Sequence, residues 1–357
     1  MGDDDSIMSR LFNTKALLGI VVGAGASYGI YKLVASGKSD ANNVKKSKND
    51  NGTSESGPER DASSGGRVFL QPGTLLAKVS ELNLLHQSES RAANIPSREI
   101  LSQSPGNLQP HHIEMLLSLL ETNSNPSDRM QILVTLGNAA AFSVNQDIIR
   151  ELGGLHKIAS LLSDPVPDTR VHCLNALNNL SMNVRNQEQL KVYVPQVLEL
   201  IEMSPVNSDL QLASLRLLTN MSVTNNHQHL MKNSITLFLS LLVVSNEEMQ
   251  IQVLKVLVNL SANPDMMEDI VQAQAPASLV LLFDGCTNAP VLLRLLTFVA
   301  NMRTWTPSAQ VADALRRGKD SLYCVLLAPP SQLHHRLPLL LSHPDDQVRT
   351  QAAHLLA

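Results

Sequence analysis

Aromatic residues are scarce in this chain, 3% of 357 residues, with a single tryptophan, Trp305. Sheet proteins draw heavily on aromatic and β-branched side chains to fit a pleated surface. The scarcity therefore argues for helices packed on helices, through the abundant Leu, Ala and Met. Cysteine is equally sparse. Cys173, Cys286 and Cys324 lie far apart in the sequence, which excludes a disulfide framework and fits a reducing compartment. Neither sign of charge dominates, with 28 basic against 32 acidic residues and a net charge of −4. A strongly basic nucleic-acid binder is excluded on that ground.

Motifs that carry chemistry are missing as well. No CxxC or HExxH spacing supports a metal site, and no GxSxG or GxGxxG occurs. Gly37-Lys38-Ser39 ends like a phosphate loop, but Lys32 stands where that loop's first glycine belongs, and no strand precedes it. His111-His112 and His334-His335 are adjacent pairs, and His227 and His229 are two apart. Such spacings do not share one helix face, so these read as surface or capping histidines. The expectation is a non-enzymatic protein with no cofactor and no metal.

What is present begins with Ala16 to Ala35, ALLGIVVGAGASYGIYKLVA, which holds one charge, Lys32. Twenty residues of helix span roughly 30 Å, the thickness of a bilayer core. A cleaved signal peptide and a buried soluble helix are the rival readings. The acidic start (Asp3, Asp4, Asp5), the continued apolar run and the positive charges after it favour an uncleaved signal-anchor behind a short segment, 1–15. Downstream Lys32, Lys38, Lys45, Lys46 and Lys48 outnumber upstream Arg10 and Lys15, so the rest of the chain is expected in the cytosol. A short, modestly apolar anchor with basic flanks suits the mitochondrial outer membrane, with the endoplasmic reticulum as the alternative. Gly19 and Gly23, and Gly25 and Gly29, are four apart. They either form a small-residue face for homodimerisation or reflect the glycine usual in membrane helices.

Residues 36–106 lack apolar periodicity and read as a flexible tether. Within them Leu75, Leu76, Val79, Leu82 and Leu85 predict one short amphipathic helix over 74–86.

The rest, 107–357, repeats. LVTLGNAA, LNALNNLS, LRLLTNMS, LKVLVNLS and LLTFVANMR align around Asn138, Asn179, Asn220, Asn259 and Asn301, spaced by 41, 41, 39 and 42 residues. Five positions before each Asn stands Leu133, Leu174, Leu215, Leu254 or Leu296, and two before it Leu136, Leu177, Leu218, Leu257 or Val299. These offsets place apolar side chains on the core face of one helix. Asn125-Pro126-Ser127, Asp164-Pro165, Ser204-Pro205, Ser245-Asn246 and Asn288-Ala289-Pro290 are expected to stop one helix and cap the next. SHPDDQVRTQAAHLLA extends the alignment into a repeat-like capping helix. A period near 40 with several helices per unit predicts an all-α, right-handed, armadillo-type α-solenoid whose units bury their faces only by stacking.

The tracts LGNAAAFSVNQDIIRELGG, LNALNNLSMNVRNQEQLK and LLTNMSVTNNHQHLM, with the anchor GIVVGAGASYGIYKL, resemble the membrane-anchored armadillo repeat-containing family and its X-linked relatives. The resemblance implies a single-pass protein of the mitochondrial outer membrane facing the cytosol. It also implies a role in mitochondrial distribution and movement through the Miro GTPase and its kinesin-adaptor complex. Some members are placed at the endoplasmic reticulum or in the nucleus as modulators of transcription factors, which is the alternative reading here.

In armadillo proteins the Asn of the third helix lines the concave groove, where its amide can grip an extended peptide backbone. The alternative is that each Asn bonds a carbonyl of a neighbouring repeat and shapes the stack. One turn before each Asn stand Val134, Asn175, Arg216, Lys255 and Thr297. No tryptophan occurs there, so slots for lysine side chains are not expected. Arg216 and Lys255 are adjacent positive rungs, suited either to an acidic or polar partner or simply to solvent.

Overall fold

The computed structural model describes residues 108–317, 320–329 and 331–357. The expected anchor with Gly19, Gly23, Gly25 and Gly29, the tether and the 74–86 helix lie outside the described residues. Among those described, no helix is long and apolar enough to cross a membrane. Among the described residues β-type pairing is limited to an isolated bridge between Gln274 and Ser321.

The helices follow the period read from the sequence. α1 (Pro110–Thr122) and α2 (Pro126–Ala139) form the first unit. α3 (Ser143–Glu151), α4 (Gly154–Ala159, continued as a 3-10 turn) and α5 (Pro167–Leu180) form the second. The third comprises α6 (Val184–Leu190), α7 (Val194–Met203) and α8 (Asp209–Met221), and the fourth α9 (Asn225–Gln228), α10 (Ile235–Val244) and α11 (Glu247–Ser261). In the fifth, α12 (Met267–Gln272) and a 3-10 segment, Ala277–Leu282, precede α13 (Ala289–Arg303). The sixth has α14 (Ala309–Arg317), a π-helical turn over Tyr323–Leu327, α15 (Leu333–Arg336) running into a 3-10 turn, and α16 (Asp346–Leu356).

The last helix of each unit packs on the last helix of the next, so α2, α5, α8, α11, α13 and α16 form one continuous layer. The middle helices α1, α4, α7 and α10 each pack against the last helix of their own unit and form the second layer. The core lies between the layers. All ten residues at the two predicted apolar offsets, from Leu133 and Leu136 to Leu296 and Val299, are fully buried. Each such side chain contributes about 1.5–3 kcal/mol by leaving water. Gly137 lets α2 approach α5 closely, since a Cβ there would lie 3.4 Å from the Ala176 backbone. Gly153 ends α3 with a left-handed φ of 69°, a conformation that costs glycine little.

The predicted breaks cap helices with some shifts of position. Asn125 and Asn246 accept backbone N–H groups at the starts of α2 and α11, as Asp345, outside the predicted set, does at α16. Asp164 accepts only the Val166 N–H just ahead of α5, whose start has no side-chain cap. For α8 the cap is Ser208 rather than Ser204-Pro205, because three further residues separate that dipeptide from the helix start. Asn288 makes no side-chain cap bond at α13.

Candidate functional site

The third-helix layer carries every candidate residue of the sequence reading that falls in the described region. Its helices end on a polar seam built from the repeated asparagines. Asn179 donates through Nδ2 to the Gly137 carbonyl at 2.9 Å. Asn220 donates to the Asn178 carbonyl at 2.9 Å and to Ser181 Oγ at 3.0 Å. Asn259 repeats this with the Thr219 carbonyl at 3.2 Å and Ser222 Oγ at 2.9 Å. Asn301 does so with the Val258 carbonyl at 3.4 Å and Ser261 Oγ at 3.0 Å. In each case the carbonyl belongs to the residue just before the preceding Asn. Asn138, first in the series, is exposed.

The donor half of each later amide is thus committed to the stack. None of the ladder Oδ1 atoms is among the buried atoms that lack a partner. Apart from a 3.4 Å approach of Asn178 Nδ2 to Asn179 Oδ1, the acceptor halves carry no protein hydrogen bond among the described residues. They are the atoms that a bound backbone N–H could use.

A second ladder runs the other way and was not read from the sequence. Gln146 Nε2 donates to the Ala140 carbonyl at 2.8 Å and forward to the Asn179 carbonyl at 3.1 Å. Gln187 does the same with Ser181 and Asn220 at 2.8 and 3.2 Å, and Gln228 with Ser222 and Asn259 at 2.7 and 3.2 Å. Thr224 and Asn263 from the following units donate to the side-chain oxygens of Gln187 and Gln228. All three glutamines are buried. Their signal is an Asn-to-Gln offset of eight residues, shared by three units; Met267 holds that place in the fourth.

The histidines correct one expectation. His227 is fully buried, not at the surface, with Nε2 at 2.9 Å from Glu188 Oε1. It occupies the position held by buried Asn145 and Asn186 in earlier units, so the stack dictates its burial. His112 does serve a helix start, its Nδ1 accepting the Gln109 N–H.

On the face one turn before the asparagines, Val134 is 42% exposed and Asn175 is exposed. Arg216 forms an ion pair with Glu248 at 2.9 Å. Thr297 donates its hydroxyl to the Leu293 carbonyl of its own helix at 2.7 Å. Lys255 is half-buried, and burial, with Arg294 and Arg216 nearby, pushes its ammonium down to about 8. Arg294 belongs to the same cationic group, although it stands seven positions before its Asn rather than four. The three cysteines are free; burial raises the Cys173 thiol, whose Sγ donates to the Ile158 carbonyl at 3.0 Å. No cluster suited to a metal ion occurs among the described residues.

Comparison with known proteins bears on this arrangement. The profile of the armadillo-like family matches residues 108–327. Among solved structures, an engineered protein superposes with a TM-score of 0.59 at 19% identity over 78% of this chain and 67% of its own. A designed armadillo repeat protein superposes at 0.56 with 17% identity over 68% of this chain and 98% of its own. Another, solved with the peptide (KR)4, superposes at 0.57 with 15% identity over 68% and 98%. At such identities the likeness speaks for the fold alone.

Proposed function

The chain belongs to the armadillo-like family, and we propose that its helical stack is a protein-interaction scaffold held at a membrane. The observation that carries this reading is the unbroken third-helix layer, whose ladder amides keep their acceptor halves open while their donor halves hold the repeats together. An extended segment of a partner lies along that layer and donates backbone N–H groups to the row of Oδ1 atoms. A designed relative binds the peptide (KR)4. Here cations occupy part of the face, so the partner differs in charge.

The finer reading adds place and partner. The segment 16–35 anchors the chain in the mitochondrial outer membrane, the tether gives reach, and the repeats hold motor-adaptor partners in the cytosol. The resemblance to the membrane-anchored armadillo family supports the Miro GTPase and its kinesin-adaptor complex as those partners, and mitochondrial distribution as the process. No catalysis is assigned to the chain.

The test uses the full chain tagged at its C-terminus, with organelle fractionation followed by protease treatment of intact mitochondria. The expected result is a mitochondrial tag that protease removes, and capture of the Miro complex that Val134→Glu with Asn175→Glu abolishes without lowering thermal stability. A tag in the reticulum, nucleus or soluble fraction overturns the placement. Capture that survives both substitutions overturns the assignment of the binding face.

A further inference from the structure

Lys255 is the least satisfied cation on the third-helix layer. It makes no hydrogen bond or ion pair among the described residues, and it is half-buried between two arginines on the adjoining helices. Arg216 lies on α8 and Arg294 on α13, and both helices pack directly on α11, which carries Lys255. Arg216 and Lys255 stand four residues before their asparagines and Arg294 seven before its own. The two offsets differ by three residues, so they fall on one helix face.

Among the described residues one carboxylate answers these three cations. Glu248 pairs with Arg216, while its neighbour Glu247 instead accepts from Asn288 Nδ2 at 2.9 Å. Among the described residues Arg294 bonds the Pro290 carbonyl of its own helix, at 2.7 Å, and no carboxylate, and burial presses down its guanidinium. Like charges held together away from bulk water repel one another and lose solvation. The fold keeps that arrangement although no other described residue pairs with Lys255.

We propose that Arg216, Lys255 and Arg294 form an anionic-peptide subsite on the third-helix face of units three to five, taking an extended segment of a partner protein that carries at least two carboxylates. Third helices stack about 8–10 Å apart, so three rungs span about 20 Å. An extended chain covers that distance in about six residues. One carboxylate meets Lys255, and a second engages Arg294 through its two N–H groups. Arg216, already paired, sets the boundary of the subsite. The rungs at Val134 and Asn175 are uncharged, so the acidic part of the ligand is confined to these units. The inference rests on the third-helix face being the binding face, and it adds the charge and position of the ligand.

The experiment measures binding of full-length chain in detergent to three labelled peptides, acetylated (Glu-Ser)4, (Gln-Ser)4 and (Lys-Ser)4. The acidic peptide is expected to bind at least tenfold more tightly than the other two, with an affinity that weakens as salt rises. Lys255→Gln with Arg294→Gln should remove at least tenfold of that affinity, while Lys255→Arg, which keeps the charge, should retain it. Melting of each variant checks the fold, and Lys255→Gln alone serves if the double variant is unstable. Equal binding of the neutral peptide, or acidic binding unchanged by the substitutions, overturns the subsite and leaves the groove standing. Failure of every peptide to bind overturns the subsite together with the groove on which it rests.

Discussion

Units two to four and the segment after Thr304 are built from the same kinds of helix, yet they hold together differently. In the former, each third-helix end is fastened twice, backward by an asparagine and forward by a buried glutamine. At α13 the backward bond survives at Asn301, but Met267 and then Ala309 stand where the next bridging glutamines belong. The C-terminal segment is tied instead by a backbone bridge, with Ala275 N–H donating to the Asp320 carbonyl and Leu322 N–H to the Ala273 carbonyl, both at 2.8 Å. Arg303 bonds the Leu355 carbonyl. Where the double fastening ends, the middle helices give way to 3-10 and π-helical turns. In this chain the regular units are those whose side chains bond backbone in both neighbours. Apolar packing continues into the last unit, where Val348, Ala352 and Leu355 are buried, but the paired ladders do not.

The sharpest way to break this comparison is to remove one forward rung. Gln187→Ala leaves the Ser181 and Asn220 carbonyls and the Thr224 hydroxyl short of a partner, and should cost about 3 kcal/mol in chemical denaturation. Gln310→Ala, on an exposed position of the last unit, should stay within about 0.5 kcal/mol. A smaller effect is expected for the backward rung. Asn220→Ala should cost about 1–2 kcal/mol, against a change below about 0.5 kcal/mol for exposed Asn138→Ala. Hydrogen exchange should follow the same division, with amides of α5, α8 and α11 exchanging more slowly than those of residues 305–343. Equal protection in the two regions would show that the ladders do not set local stability.

The mildest test concerns Lys255, flanked by Arg216 and Arg294, with Glu248 of its own helix paired to Arg216. Its folded value near 8 lies below the unfolded value near 10.5. The charged lysine therefore penalises the fold at neutral pH, and the penalty is relieved as pH rises from 8 to 10.5. Lys255→Gln should raise the denaturation midpoint at pH 7, and its advantage over the parent chain should shrink across that window. A constant difference between pH 7 and 10 would show that the ammonium is not penalised.

Much of this was legible in the sequence, for identifiable reasons. The Asn period and the leucines at fixed offsets located every third helix, because burial on one helix face must recur each 3.6 residues. The partner of each Asn was not legible, since its carbonyl lies 40 to 43 residues away and any nearby oxygen would satisfy the same amide. Gln146, Gln187 and Gln228 are as periodic as the asparagines, but Met267 and Ala309 interrupt them in later units. Arg294 escaped notice because Thr297 holds the rung position in its helix. His227 looked exposed because polar residues surround it in sequence; only the stacking of α6 and α9 against neighbouring units encloses it.

Both ladders bond main-chain oxygens, which every residue possesses, with a serine hydroxyl two places after the preceding Asn as the recurring side-chain acceptor. The joint between two units therefore asks little of the side chains displayed beside it, and the facing positions at Val134, Asn175, Arg216, Lys255 and Thr297 are free to differ. A copied unit would arrive carrying its own clasps, and one that also kept the serine after its Asn and the Thr or Asn that meets the glutamine could be spliced between Asn179 and Asn220. The molecule keeps its grammar in the amides and its vocabulary on the open face.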